Sequence, residues 1–392
     1  VFQLDEQSAM VAGVIRQWCQ TQLVPHIPAL EAGTEQPFAL MKQLAKAFGF
    51  DAMLGTAVRK RMDRLRKGEA TAERPPRQGP PMMMHVVVKE LSRVSPGFAM
   101  GLGVSLGLVG GTIAAHGTAD QLERWGLPLS TLDRIGAWCL TEPGAGSDAF
   151  GSMRTTARRD GDGFVLSGSK TFITNGPGAD VFLVYARCDD DIAAFIVERA
   201  TQGVSVGPPF KKMGMRDSPT SEVAFDEVRL GPEHVLRLGR TGTKLGLGGE
   251  RSGVPAMAWG IIERCYDASV AYARERQQFG RPIGEFQAVQ LKIADLFLKL
   301  RTVENIVFRL AWMQEHDVKD TPFINASKAY AAQLAVDAAM TAIQIHGGYG
   351  YMEELGIEKL ARDAKLLELG AGTSDINLLA AARELLGVDA KH

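Results

Sequence analysis

The residues from Trp138 to Asp148, reading Trp-Cys-Leu-Thr-Glu-Pro-Gly-Ala-Gly-Ser-Asp, carry the densest chemistry in the chain. A polar turn with two glycines exposes backbone N–H groups that can approach a phosphate or a ring carbonyl oxygen closely. Thr141 and Ser147 add hydroxyl donors. Further on, Lys170-Thr171-Phe172-Ile173-Thr174-Asn175-Gly176 repeats the theme with an aromatic, a hydroxyl and a turn. Either segment alone reads equally well as a structural strand turn. Together they set two polar edges around a flat aromatic ligand. Two other glycine runs are weaker. Gly101-Leu102-Gly103-Val104-Ser105-Leu106-Gly107 lacks the strand, helix opening and later acid of a dinucleotide fingerprint. It reads as close helix packing, or as room for a ligand chain beside a helix. Gly246-Leu247-Gly248-Gly249 reads as a flexible lead-in to a helix starting near Glu250.

The elements that hold these segments follow from periodicity. From Asp5 to about Arg134 the apolar spacing is helical, as in Val11, Ile15 and Trp18 and again in Leu40, Leu44 and Phe48. From Gly136 to Leu230 it becomes strand-like: Phe164-Val165-Leu166, Val181 to Tyr185 and Ala193 to Val197, with turns such as Asp160-Gly161-Asp162-Gly163. Beyond Arg251 the stripe Phe286, Val289, Ile293, Leu296, Leu300, Val303 and Leu310 predicts a long helix. Strands gathered in the middle argue for an α+β chain rather than a doubly wound sheet. The expected domains are 1–135 helical, 136–234 β and 235–392 helical.

Composition excludes several classes. A formal net charge of -1 over 392 residues argues against a nucleic-acid binder. Cys19, Cys139, Cys188 and Cys265 have no CxxC spacing and read as reduced thiols. The histidines form no HExxH cluster, so no metal site is expected. The most apolar stretch, Phe98 to Ile113, is rich in glycine and too short for a membrane span. Polar residues from Gln3 onward do not suit a signal peptide. These features predict a protein of the cytoplasm, or of the mitochondrial matrix if eukaryotic. Arg59, Lys60, Arg61, Arg64, Arg66, Lys67, Arg74 and Arg77 make Val58 to Pro81 basic. A solvated loop or short helix accounts for that; a contact to nucleotide phosphates or an acidic partner is the sharper reading.

On these motifs the chain resembles the acyl-CoA dehydrogenase family of flavoproteins over nearly its whole length. Thr-Glu-Pro-Gly-Ala-Gly-Ser-Asp and Phe-Ile-Thr-Asn-Gly are similar to the family's flavin loops. Arg274 to Gly280, Gln344 to Gly350, Arg362 to Lys365 and Gly372 to Asp375 follow in the family's order. The resemblance implies a helical domain, a central β-barrel-like domain and a C-terminal four-helix bundle, assembled as a homotetramer with FAD. It implies that Trp138 belongs to the flavin-binding set, with the Leu140 backbone and the Thr141 hydroxyl at the pyrimidine edge. Ser147 would meet the pyrophosphate and border the substrate. Phe172, where the family more often has tryptophan, would cover the ring, and Thr174 would approach N5. Arg276 and Phe279, with Gln344 and Gly348 from a neighbouring subunit, would hold the pyrophosphate and adenosine half, and Thr373 and Asp375 would complete the nucleotide end. Arginine suits that task through its bidentate fork.

Dehydrogenating an acyl thioester needs a carboxylate base in a dry pocket. Many family members carry it just before Gly-Thr-Ser in the final motif, where this chain has Ala371. The isovaleryl- and long-chain-type enzymes place it on an earlier helix, and counting back from Arg276 brings that position to Glu250. Gly370-Ala371-Gly372-Thr373-Ser374 also matches the isovaleryl type. The competing reading of Glu250 is a solvated carboxylate favoured by a helix N-terminus. Arg251 would assist the substrate, and the Ala371 N–H would polarise the thioester carbonyl. Val235 to Gly249 is shorter than in the isovaleryl-type pattern.

The expected activity is FAD-dependent α,β-dehydrogenation of an acyl-CoA, with an electron-transfer flavoprotein as acceptor. A flavin monooxygenase, a nitroalkane oxidase, and a dehydrogenase of carrier-bound acyl groups remain as alternatives.

Overall fold

The computed structural model describes residues 3–69, 80–189, 191–236 and 238–388, and for 239–250 the backbone alone. Helices come first. Asp5 caps Glu6–Trp18 by accepting from the Ser8 N–H at 2.8 Å. The predicted stripes converge: Ile15, Trp18, Leu40 and Leu44 are buried in one core with Val87, Leu91 and Phe98. The basic segment is partly a 17-residue helix, Phe50–Arg66, longer than expected. Its Val58 and Met62 face the core beneath the central strands, and Arg66 pairs with Glu123 at 2.5 Å. Arg74 and Arg77 lie outside the described residues.

The glycine run corrects the sequence reading. Pro96–His116 is one helical stretch of 21 residues whose most apolar window has mean hydropathy 1.7, long and apolar enough to span a membrane. Yet 61% of its most apolar window is buried in the protein. Its glycines do not break it, because close approach requires them: a Cβ on Gly101 would sit 2.7 Å from Met41 Cε and 2.9 Å from Asn175 Oδ1. Gly103 and Gly107, one turn apart, instead face open space.

The middle of the chain is an eight-stranded sheet of β1 Gly136–Cys139, β2 Thr156–Asp160, β3 Gly163–Thr174, β4 Val181–Cys188, β5 Asp191–Glu198, β6 Val204–Val206, β7 Thr220–Leu230 and β8 Val235–Leu236. Its order is β6-β7-β3-β2-β4-β5-β8, with β1 parallel to β4. The hydrogen-bonded path therefore ends at β6 and β8. Alternating side chains with both faces buried explain why β4 from Val181 to Ala186 and β5 from Ile192 to Val197 are apolar. Phe182, Val184, Phe195 and Val197 fill the sheet's own core. Val181, Leu183, Tyr185, Ala194 and Ile196 pack outward with the N-terminal helices.

The C-terminal region is helical, as expected. Gly239–Glu275, Gln287–Glu315 and Thr321–His346 are long, and Ile357–Leu369 and Ser374–Leu386 both pack on Thr321–His346. The first begins at Gly239, well before Glu250, so Gly246 to Gly249 lie inside it. Glycine's helix penalty, about 1 kcal/mol each, does not stop a helix carried by tertiary packing. This removes the ground for reading Glu250 as a helix-start carboxylate, since dipole effects fade beyond the first turn.

Candidate functional site

The two flavin-type loops are joined by a buried ion pair. Lys170, fully buried on β3, donates to the Glu142 carboxylate at 2.9 Å and to the Leu140 carbonyl at 3.0 Å. Glu142 also accepts from the backbone N–H groups of Arg154 at 2.6 Å and Thr155 at 2.9 Å. The Thr171 N–H donates to the Thr141 carbonyl at 2.9 Å. The carbonyls of Leu140 and Thr141 are thus used inside the protein, while Pro143, Gly144, Gly146, Ser147 and Asp148 remain exposed. Burial alone would raise the Glu142 carboxyl, but donors from Thr155, Lys170 and Arg154 outweigh it and hold the group at about 2.

A break in the β3–β7 register between Lys170 and Ile173 turns Phe172 outward. Phe172 takes φ 57° and is 69% exposed, leaning on Phe210 with ring centroids 5.8 Å apart. Thr174 ends the strand opposite Thr220. Asn175, at φ 67°, is buried and donates to the carbonyls of Gly101 at 2.8 Å and Gly136 at 3.2 Å. The helix Pro96–Gly103 is thereby tied to the turn. Trp138 stands on β1 against Tyr185, with ring centroids 4.8 Å apart.

Arg276, Phe279 and Gly348 gather elsewhere. Arg276 ends the Gly239–Glu275 helix with its guanidinium 5.6 Å over the Tyr349 ring. With Tyr272, Gln278, His346, Gly348 and Met352 it lines a pocket of about 540 Å³. Phe279 is 94% exposed and Gln344 lies on the same surface end of Thr321–His346. Arg276 and Gly348 thus line one pocket of a single chain.

Arg251 marks a third place. Its Nη1 donates to Asn325 Oδ1 at 3.0 Å, and its Nη2 lies 3.8 Å from where a Cβ on Gly372 would stand. The final motif thus sits beside the helix that carries Glu250, whose side chain is outside the described residues. Ala371 and Gly372 both have left-handed backbones, φ 55° and 81°. Thr373 caps Ser374–Leu386 by accepting from Ile376 N–H at 3.2 Å, and Asp375 is exposed in its first turn.

The exposed, outward-turned Phe172 and the open Gly144 and Gly146 suit a flat ring, and the Arg276 pocket suits a nucleotide. Sequence reasoning gave Glu142, Lys170, Lys328 and Asn377 no role. A lysine amid the small residues of Ala326-Ser327-Lys328-Ala329 was the available signal, because such a face is buried. We expect Glu142→Gln to weaken FAD retention about tenfold and lower stability by about 3 kcal/mol at neutral pH. The Glu142 carboxyl is depressed from 4.5 in the unfolded chain, so the difference from wild type is full above that pH and vanishes as pH falls through about 2. Unfolding midpoints of both proteins across that window check it.

Two polar turns on a sheet, and a nucleotide-sized pocket on a helical bundle, define a flavin-dinucleotide oxidoreductase. The family models for the acyl-CoA dehydrogenase N-terminal, middle and C-terminal domains match residues 77–132, 137–228 and 239–386. The chain belongs to the acyl-CoA dehydrogenase family and is an FAD-dependent oxidoreductase acting on CH–CH groups. It is 34% identical over 396 residues to the probable acyl-CoA dehydrogenase YngJ of Bacillus subtilis (strain 168), covering 98% of this chain and 99% of that one. It is 33% identical over 391 residues to the caffeyl-CoA reductase-Etf complex subunit CarC of Acetobacterium woodii, covering 97% and 99%. The glutaryl-CoA dehydrogenase of Mycobacterium smegmatis in complex with FADH2 superposes with a TM-score of 0.89 at 27% identity, over 99% of this chain and 97% of that one.

Proposed function

We propose that this enzyme desaturates an acyl-CoA thioester between Cα and Cβ, with Glu250 as the base. One observation carries the reading: Arg251, next to Glu250 in sequence, lies beside Gly372. The helix turn around Arg251 thus lies next to the final motif, which supports a base supplied from this helix. Ala371 leaves the final motif without one. In this reading Glu250 takes the α-proton, and the electron pair of that C–H bond, drawn toward the thioester carbonyl, becomes the Cα=Cβ bond as the β-hydrogen leaves. The Ala371 N–H polarises the carbonyl, and Arg251 holds the substrate end of the helix in place. FAD, when bound, supplies the acceptor for the β-hydrogen as hydride. Trp138, Leu140, Thr141, Ser147, Phe172 and Thr174 hold its ring and pyrophosphate, and Thr373 and Asp375 the nucleotide end.

Arg276 lies 25 residues beyond Arg251 on one helix, about 37 Å at the α-helical rise. Arg276, Phe279, Gln344 and Gly348 accordingly serve a cofactor whose ring is held by a second copy, in a homotetramer divided into domains at 135/136 and 234/235. Likeness to an Etf-complex subunit supports an electron-transfer flavoprotein as acceptor. A cytoplasmic location belongs to the same proposal, and four unpaired cysteines are compatible with it.

Anaerobic mixing of the FAD-loaded protein with short, branched and long acyl-CoAs tests this. Bleaching of the visible flavin band by one chain class is expected. Failure of every acyl-CoA to bleach a fully loaded protein would reject the reading, and rapid reoxidation by oxygen would favour a monooxygenase.

A further inference from the structure

Between β6 and β7 the chain runs as a loop, and Lys212 closes that loop on itself. Its Nζ donates to the Met215 carbonyl at 2.6 Å, to the Ser218 carbonyl and to the Thr220 hydroxyl at 3.0 Å. An ammonium has three N–H donors and no acceptor, so these three bonds use it fully. Burial lowers the Lys212 ammonium to about 8; the carboxylates of Asp217, Asp363 and Glu31 oppose that, and Lys359 adds to it. The group therefore keeps its third proton at neutral pH. Thr220 is fastened a second time, because its carbonyl accepts from the Phe210 N–H at 2.8 Å. Phe210 and Lys212 are thus both tied to the residue that pairs with Thr174 across β3 and β7.

Phe210 is where this loop meets the outward-turned aromatic of the second flavin-type turn. Its ring stands 5.8 Å from that of Phe172, tilted by 52°. Both rings lie outside the apolar cores formed by the described residues, so core packing does not set their angle. Phe172 needs support from outside its own strand. It is a bulky residue at φ 57°, a conformation that persists only where its surroundings over-determine it. It also sits in the register break between Lys170 and Ile173, where the ladder to β7 is interrupted. A tilted aromatic partner supplies a directional contact that can fix an exposed ring.

We propose that Phe210 and Lys212 are positioning residues for the flavin: Lys212 fixes the Phe210 loop on Thr220, and the Phe210 ring sets the angle at which Phe172 lies on the cofactor. The inference rests on the reading of Phe172 as the residue that covers the ring. It assigns Phe210 and Lys212 no proton transfer and no contact with the reacting atoms. Phe172 held at one angle narrows the poses open to a bound cofactor, and small misplacements slow a transfer that needs near contact.

The test reads the visible circular dichroism of bound FAD, which reports packing around the ring, together with thioester-driven bleaching. Phe172→Leu sets the scale and should change the dichroism band of the fully loaded protein. Phe210→Ala should produce at least half of that change and slow bleaching by roughly threefold to tenfold. Affinity for tert-butylacetyl-CoA, whose β-carbon carries no hydrogen and which therefore binds without being desaturated, should stay near wild type. Lys212→Met should match Phe210→Ala in every readout. Thr220→Val removes one of the three acceptors at similar shape and should give a smaller change of the same sign, which decides the part of Lys212 where Lys212→Met folds poorly. In a Phe172→Leu background none of these substitutions should change the band further, because residues acting through one another are non-additive. Fully additive changes, or a wild-type band in loaded Phe210→Ala or in loaded Thr220→Val, overturn the proposal. An unchanged band in Phe172→Leu would instead overturn the reading of Phe172 itself, so the two failures are told apart.

Discussion

Glu250→Gln is expected to slow thioester-driven flavin bleaching by roughly 10²- to 10⁴-fold, the range that a positioned general base contributes. The amide has the shape of the carboxylate but cannot accept the α-proton, so FAD content and thioester affinity should stay near wild type. Stopped-flow bleaching under saturating acyl-CoA reads the rate, and equilibrium titration with tert-butylacetyl-CoA reads the affinity. A Gln variant bleaching within about threefold of wild type would place the base elsewhere. The proximity of Arg251 to Gly372 adds a second arm. If both motif positions border one space, Glu250→Gln combined with Ala371→Glu should regain part of the lost rate. Recovery would be incomplete, because Ala371 has a left-handed backbone that a longer side chain strains.

Lys359→Met should cost about 3–5 kcal/mol of stability, the usual result of stripping one partner from a buried ion cluster. Lys359 is 5% exposed and donates to Asp363 at 2.5 Å and Asp217 at 2.9 Å, with Glu31 at 3.6 Å. Asp217 also accepts from the Ser95 hydroxyl, and Asp363 from the Met215 N–H. The cluster therefore joins the N-terminal helices, the loop leading into β7 and the Ile357–Leu369 helix. Burial raises the Asp363 carboxyl, to about 6; Lys359 opposes that and the Asp217 charge adds to it. Without Lys359, the buried Asp217 and Asp363 carboxylates lose the cation hydrogen-bonded to both and keep only the more distant charge of Lys212. Urea unfolding of the FAD-loaded protein measures the loss. Lys359→Met with Asp363→Asn should recover at least half of it, since removing charge together is far cheaper than orphaning it. A single variant as stable as wild type would show that the cluster is not what joins these segments. The loop it anchors leads to Thr220, the register partner of Thr174, so slackening there should also loosen flavin retention.

The Arg-Asp-Ala-Lys segment shows how a motif can be legible while its role is not. Its order along the chain pointed to the family, yet Asp363 does its work at Met215 and Lys359, and Arg362 at Glu31 and Glu358. Glu142 is similar. It stands inside the most conspicuous run of the chain, but only the fold shows that it is held by Lys170, Arg154 and Thr155 rather than aimed outward.

By itself the sequence determined the order of helices, strands and helices, because periods of 3.6 and 2 are local properties that neighbouring residues carry between them. It also determined the family, the two glycine turns and the absence of a glutamate at Ala371. Tertiary structure alone decided that Lys170 clamps the two turns, that Arg276 and Gly348 line one pocket, that Lys328 lies under Gly372, and that Pro96–His116 is a buried helix rather than too short a run. It also decided that the helix bearing Glu250 begins at Gly239. Each of these depends on residues far apart in the chain, and on packing that overrides local propensity. A buried charge is placed by the partner that makes its burial tolerable, and that partner is found only when the chain has folded.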